Sequence, residues 1–238
     1  MIKELQWDSA FFKKKIGTLI VDAIEVKNLS STIEKARNAG FHYLTFKTKS
    51  FDMPVIQALE SAGFSLTDIG VTFRANSDIF SSTASPKTMK WRKSLRVAGF
   101  RDIPMLRTLI KGLFPQSRFY HDPFFSKKDA DNLYQQWIEN SVKGTAADIV
   151  FCVDKAGFIT CRKKDKLSGE IVLIGIGKRT RGKGLGTVLV AQAMQWFRDK
   201  GMRTVTVRTQ LRNPDAMNFY IKLGFLVKEY DLIFGNKL

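Results

Sequence analysis

The sequence predicts an α/β protein, and three observations carry that prediction. Strand-like and helix-like runs alternate between residues 15 and 75, and three strand-like runs follow one another between residues 148 and 177. A glycine-rich strand-to-helix junction then opens the last third of the chain, followed by strand, helix and strand patterns. With 238 residues, 44% of them hydrophobic, the chain can bury one large core or two smaller ones.

Taken in order, Ile16 to Val26 is β-like, and Ser30 to Asn38 is helical with Gly40 as its left-handed stop. Phe41 to Phe46 alternates as a strand. A second helix runs from Pro54 to Ser61 and stops at Gly63, before a strand through Val71-Thr72-Phe73. The exits Ala39-Gly40-Phe41 and Ala62-Gly63-Phe64 are near copies, so residues 1–90 read as a small α/β half. Its polar end, residues 76–90, reads as a linker or exposed loop. Residues 91–238 form the second segment. Leu95 to Phe100 is predicted as a strand, and Asp102 as the cap of a helix over Ile103–Leu113 with Pro104 in its first turn. Ser126 and Asp129 form a capping-box pattern for a helix reaching Lys143. Strands at 148–154, 157–163 and 168–177 precede a helix over 184–200, a strand over 204–208, a helix over 214–223 and a closing strand over 227–234.

Lys and Arg total 39 against 22 acids, a formal charge of +17, which suits polyanionic ligands. The basic residues are spread along the chain with no aromatic RNA signature or zinc-finger spacing, which argues against nucleic acid. Coenzyme A and nucleotide sugars are polyanions too. Cys152 and Cys161 are the only cysteines and there are two histidines, so the reading is two buried thiols and no metal. No apolar run reaches the ~20 residues of a membrane helix, and the N-terminus lacks a signal-peptide core, so the expected compartment is the cytoplasm.

The chemistry gathers where Leu173-Ile174-Gly175-Ile176 leads into Arg181-Gly182-Lys183-Gly184-Leu185-Gly186-Thr187 and a helix. Glycines let backbone N–H groups wrap an anion, and the helix N-terminus adds positive charge, so a pyrophosphate is the natural occupant. It is not a P-loop, since Ser or Thr does not follow the Gly-Lys pair. Some thirty residues on, Asn213 is a good N-cap and Pro214 a good first helical residue, which puts Tyr220 on the second turn. Alone, Tyr220 would read equally as a core aromatic.

Together, Arg181-x-x-Gly184-x-Gly186 and Asn213-x-x-Ala216-x-x-x-Tyr220-x-x-x-Gly224-Phe225 resemble the GNAT superfamily of acetyl-CoA-dependent N-acetyltransferases over residues 93–238. The resemblance implies a twisted mixed sheet with flanking helices, splayed at its fourth and fifth strands, with acetyl-CoA in the gap. It implies that Leu173, Ile174 and Ile176 meet the thioester and pantetheine arm, that residues 181–187 hold the pyrophosphate, and that Asn213, Ala216 and Phe219 line the cofactor. Tyr220 would hydrogen-bond the departing sulfur, and strand N–H groups would stabilise charge on the thioester oxygen. A homodimer is also a family-level expectation.

Trp7 to Phe12, Gln116 to Phe119 and Gln136 to Thr145 resemble, more narrowly, the bacterial dTDP-fucosamine acetyltransferases, which carry an extra N-terminal α/β half. That likeness implies a nucleotide-linked 4-amino sugar as acceptor for surface polysaccharide, although the glycine loop is fuller here than in that subfamily. On the acceptor side, Ser117 and Arg118 suit a phosphate. His121 reads as a proton relay or as a loop histidine in a structural hydrogen bond, and Glu170 as a base acting through water or a solvated edge residue. Other acceptors, a protein or peptide amine, stay open, as does a nucleic-acid module with a vestigial acyl-CoA site.

Overall fold

The computed structural model describes residues 1–20, 29–49, 51–79 and 86–238. In chain order the elements are β1 (Ile2–Glu4), α1 (Gln6–Phe12), β2 (Ile16–Leu19), α2 (Leu29–Asn38), β3 (Tyr43–Thr48), α3 (Met53–Ser61) and β4 (Ser65–Asn76). Next come α4 (Pro86–Ser94), β5 (Arg96–Val97), α5 (Ile103–Ile110), α6 (Arg118–His121), α7 (Lys127–Val142), β6 (Ile149–Val153), β7 (Gly157–Lys163) and β8 (Ser168–Ile176). The last are α8 (Leu185–Asp199), β9 (Thr204–Gln210), α9 (Pro214–Lys222) and β10 (Leu226–Lys237).

The strands form one mixed sheet in the order β1-β2-β3-β10-β4-β9-β8-β7-β6-β5. The closing strand β10 lies between β3 and β4, so the sheet runs unbroken across the proposed boundary at residue 90. Alternation assigns the two faces. Leu44 and Phe46 of β3, Val71 and Phe73 of β4, Val205 and Val207 of β9, and Leu232 and Phe234 of β10 pack under α2, α3, α8 and α9. The opposite face carries α5 and α7 over Val150, Cys152, Phe158 and Leu173, and α1 and α6 over Ile16 and Tyr43.

The helix exits behave as their sequences suggest. Phe41 N donates to Ala36 O (3.0 Å) and Phe64 N to Leu59 O (2.9 Å), each across a glycine of positive φ. Leu223-Gly224-Phe225 repeats the motif, with Phe225 N on Tyr220 O at 3.0 Å. The capping box is present too: Ser126 accepts from Asp129 N while the Asp129 carboxylate takes Ser126 N.

Three expectations are corrected. Residues 86–94 are helical where a loop was predicted through residue 90, with Pro86 at the first position, which proline tolerates. The strand over 95–100 shrinks to Arg96–Val97; Asp102 does stand at the N-cap position of α5, with Pro104 in the first turn, but its side chain bonds elsewhere. Its carboxylate takes Gly99 N (2.8 Å) and the Arg96 guanidinium (2.6 and 2.8 Å), which closes a 3-10 turn at Phe100–Asp102 instead of capping α5. Finally, α5 stops at Ile110 rather than Leu113, because Gly112 takes a φ of +63° and gives its N–H to Asp131. Residues 21–26 of the expected first strand lie outside the described residues.

Cys152 and Cys161 are buried and free, on opposite faces of the sheet. Burial raises the Cys152 thiol to about 11 and pushes Cys161 higher still. Burial also raises the phenols of Tyr43 and Tyr220, and takes Tyr134 to about 12. Each of these groups ionises first in the unfolded chain, which then binds fewer protons than the folded one. Stability is therefore full below the unfolded pKa values and falls as pH rises above them, by about 1.4 kcal/mol per pH unit per group. We expect Tm to drop steeply above about pH 10; an unchanged Tm between pH 9 and 11 would contradict the buried phenols. Among the described residues no helix is long and apolar enough to cross a membrane, and no cluster of His, Cys, Asp or Glu has the makings of a metal site.

Candidate active site

The parallel strands β8 and β9 pair from Ser168↔Thr204 to Ile171↔Val207 and then part, although β8 continues to Ile176 and β9 to Gln210. The cause lies in β8. Its register against β7 slips after Thr160, which faces Leu173 while Cys161 faces Ile171, leaving Val172 as the extra residue of a bulge. Leu173 N donates to the Thr160 hydroxyl at 2.9 Å, so that N–H is turned toward β7 and satisfied there. Gly177 N donates to Ala156 O at 2.8 Å. By the alternation of an antiparallel ladder, the N–H groups of Ile174 and Ile176 then face away from β7, into the space β9 has left. The Ile176 carbonyl accepts from Arg181 Nε at 3.3 Å.

At the end of that space the chain turns into α8. Gly182 and Gly184 have φ of +71° and +79°, values that β-carbons make costly, and Gly184 is the N-cap residue of α8. Arg181, Gly182 and Lys183 are exposed, whereas Leu185 is 1% exposed and anchors the loop in the core. A β-carbon on Gly186 would meet Phe219 Cζ at 3.1 Å, so this glycine lets α8 and α9 approach. Thr187 is half-buried on the first turn of α8. Free N–H groups along a splayed strand, then a glycine turn into a helix N-terminus among Lys178, Arg179, Arg181 and Lys183, fit an extended ligand with a pyrophosphate at one end.

On α9, Asn213 caps the helix through its side chain on Ala216 N at 3.2 Å. Tyr220 is 3% exposed, among Phe73, Phe219 and Phe225 at 5.4–5.7 Å between ring centroids. Burial raises its phenol well above the ordinary 10.0, so it is a hydroxyl donor at any working pH.

The opposite face of the sheet has a polar floor that the sequence did not announce. Asp68 of β4 is 4% exposed, and its Oδ1 has no hydrogen-bond partner; the nearest cation, Arg212 Nε, is 4.0 Å away. Burial raises its carboxyl above the usual range, against the pull of Arg212, Arg208 and Arg118. Beside it, Asp231 of β10 receives both terminal nitrogens of Arg208 from β9, and Lys47 of β3 at 3.0 Å. Arg208 crosses Gly70, where a β-carbon would sit 1.7 Å from its Nη2. Glu170 is paired with Arg162 at 2.7 Å.

Of the predicted acceptor residues, Arg118 reaches this region. Its guanidinium lies 4.5 Å from the Phe119 ring centroid, and its buried Nη1 has no partner. Burial raises the Asp8 carboxyl of α1, against the pull of Arg118. Ser117 is 3% exposed and already engaged, accepting from Phe119 N and bonding Tyr134. His121 is exposed at the end of α6. Asp68 was missed because it is one polar residue in an alternating strand; its only local signal is the nearby Gly70, which leaves room for Arg208.

Residues 111–225 match the acetyltransferase (GNAT) family, a shorter stretch than the 93–238 of the motif likeness. The chain is 28% identical over 228 residues to dTDP-fucosamine acetyltransferase of Escherichia coli O6:H1, covering 94% of this chain and 92% of that one. It is 26% identical over 130 residues to the spore coat polysaccharide biosynthesis protein SpsD of Bacillus subtilis, 54% of this chain and 45% of that protein. In fold it resembles a GCN5-related N-acetyltransferase from Sphaerobacter thermophilus, with a TM-score of 0.64 at 11% identity over 99% of this chain and 76% of that one. With the matched segment spanning the splayed strands, the glycine turn and Tyr220, residues 111–225 form a GNAT acetyltransferase domain.

Proposed function

We propose that this acetyltransferase moves the acetyl group of acetyl-CoA to the amine of a nucleotide-linked amino sugar of the dTDP-4-amino-4,6-dideoxyhexose type, for surface polysaccharide. The observation that carries this reading is a likeness to dTDP-fucosamine acetyltransferase that runs through both halves of the chain, N-terminal strands included. Those strands supply Asp68 and Lys47 to the polar floor, so the half without cofactor motifs contributes to the acceptor side.

Bound acetyl-CoA supplies the thioester carbon that the amine attacks. Around it, the N–H groups of Ile174 and Ile176 hold the acyl oxygen and the pantetheine arm, and the turn at residues 181–187 holds the pyrophosphate. Val71 and Phe73 of β4 share a face with Tyr220, while Asp68, three residues before Val71, is on the other. Tyr220 thus donates to the leaving sulfur from the α9 side, and the free Oδ1 of Asp68 accepts from the attacking amine on the opposite side. A sugar amine below the ~10.4 of lysine needs no strong base. Arg118, with an unpartnered Nη1, takes a phosphate of the nucleotide.

Asp68→Asn tests the acceptor half of this scheme. We expect kcat/KM for the amino sugar to fall roughly tenfold or more, with the KM for acetyl-CoA held. Equal loss for both substrates, or no loss, would remove Asp68 from acceptor binding.

A further inference from the structure

The helix that replaces the expected loop before residue 90 reaches the cofactor turn. Trp91 of α4 is half-buried against the α8 core and donates Nε1–H to the Lys183 carbonyl at 2.8 Å. Lys183 lies between the two positive-φ glycines, Gly182 and Gly184.

This one bond has a directional consequence. A peptide unit is planar and trans, so the Lys183 carbonyl and the Gly184 N–H point in opposite directions. Holding the carbonyl toward Trp91 turns the Gly184 N–H away from α4. That N–H belongs to the N-cap residue of α8, among the groups that must face an anion at the helix N-terminus. Gly184 has no β-carbon and its φ is +79°, so this plane is freer to rotate than one followed by a residue with a side chain. The Lys183 side chain is exposed and no core packing fixes the plane from that side. Trp91, by contrast, is itself held, by packing on the α8 core and under the Lys90 ammonium 4.5 Å from its ring centroid.

We infer that Trp91 is a positioning residue for the donor pyrophosphate: it locks the Lys183–Gly184 peptide in the orientation that presents Gly184 N–H to the anion. The inference rests on acetyl-CoA being the donor and goes beyond it, because it gives the segment between the two halves a part in cofactor recognition. It also predicts selectivity by donor length. A thioester that lacks the pyrophosphate has nothing for this peptide to bind and is indifferent to its orientation.

The test compares two donors, acetyl-CoA and S-acetylpantetheine, on wild-type protein and Trp91→Phe, which keeps an aromatic ring and removes the N–H. We expect W91F to raise the KM for acetyl-CoA about fivefold at constant kcat, the worth of one hydrogen bond, and to leave kcat/KM for acetylpantetheine within about twofold of wild type. An unchanged KM for acetyl-CoA would overturn the inference. So would equal losses on both donors, which is what general damage to the fold produces. Absence of thiol release from acetyl-CoA by the wild-type protein, with an amino-sugar acceptor present, would instead refute the donor reading beneath it.

Discussion

Tyr220→Phe is expected to lower kcat about a hundredfold while leaving the affinity for acetyl-CoA within about twofold. The ring already fills its place among Phe73, Phe219 and Phe225, so phenylalanine preserves packing and removes only the hydroxyl. The physical form of the donation is constrained by burial. Free phenol near 10 and free thiol near 8.5 already make complete proton transfer uphill by about 2 kcal/mol. The buried phenol is pushed higher, so the hydroxyl acts by hydrogen-bonding the sulfur as charge develops there, and not by giving up its proton beforehand. Two measurements check this. Steady-state kinetics should put the loss in kcat, and the wild-type pH profile of kcat should show no fall attributable to a phenol below about pH 10. A variant with wild-type kcat would take Tyr220 out of the mechanism.

Asp231→Ala should cost about 3 kcal/mol of stability, a fall in Tm of roughly 6–12 °C for a chain of this size. Asp231 is 2% exposed and joins three strands, taking both terminal nitrogens of Arg208 from β9 and the ammonium of Lys47 from β3. The bond to Arg208 spans β4, which is why residue 70 is glycine. Burial pushes the Asp231 carboxyl up, but Arg208 and Lys47 outweigh burial and hold it below its ordinary value. Its contribution is therefore present above the unfolded pKa of about 3.9 and is lost as pH falls through the lower folded value. The truncation leaves a guanidinium over the sheet with its partner gone. The double variant Asp231→Ala/Arg208→Ala should accordingly recover part of the loss. Additive losses in thermal unfolding would show that the two side chains stabilise the sheet independently.

What the sequence made legible was whatever rests on local chemistry. The glycine turn at 181–187, the Asn213 cap with Tyr220 on the next turns, the Ser126–Asp129 capping box and the Ala-Gly-Phe exits each depend on a few neighbouring residues, and each is present. What stayed hidden rests on partners far along the chain. That β10 inserts between β3 and β4 is decided by non-local pairing, so the division at residue 90 did not reveal a continuous sheet. Asp68 became a candidate for the acceptor side only once the fold set it, buried, beside Arg212, Arg208 and Arg118. Asp102 stands at the N-cap of α5 as its sequence suggests, but Arg96 and the Gly99 N–H, and not the first turn of α5, take its carboxylate. Ser117 looked available for a phosphate; its hydroxyl is spent on Phe119 N and Tyr134.

The most direct test is thiol release from acetyl-CoA by the wild-type protein against dTDP- and UDP-linked 4-amino sugars, with basic peptides in parallel. The account predicts that one dTDP-linked 4-amino-4,6-dideoxyhexose is acetylated with a kcat/KM at least a hundredfold above any peptide, in line with the full-length likeness to dTDP-fucosamine acetyltransferase and a +17 chain that repels basic substrates. Turnover confined to peptides, or tight acetyl-CoA binding with no sugar acetylated, would contradict the nucleotide-sugar acceptor.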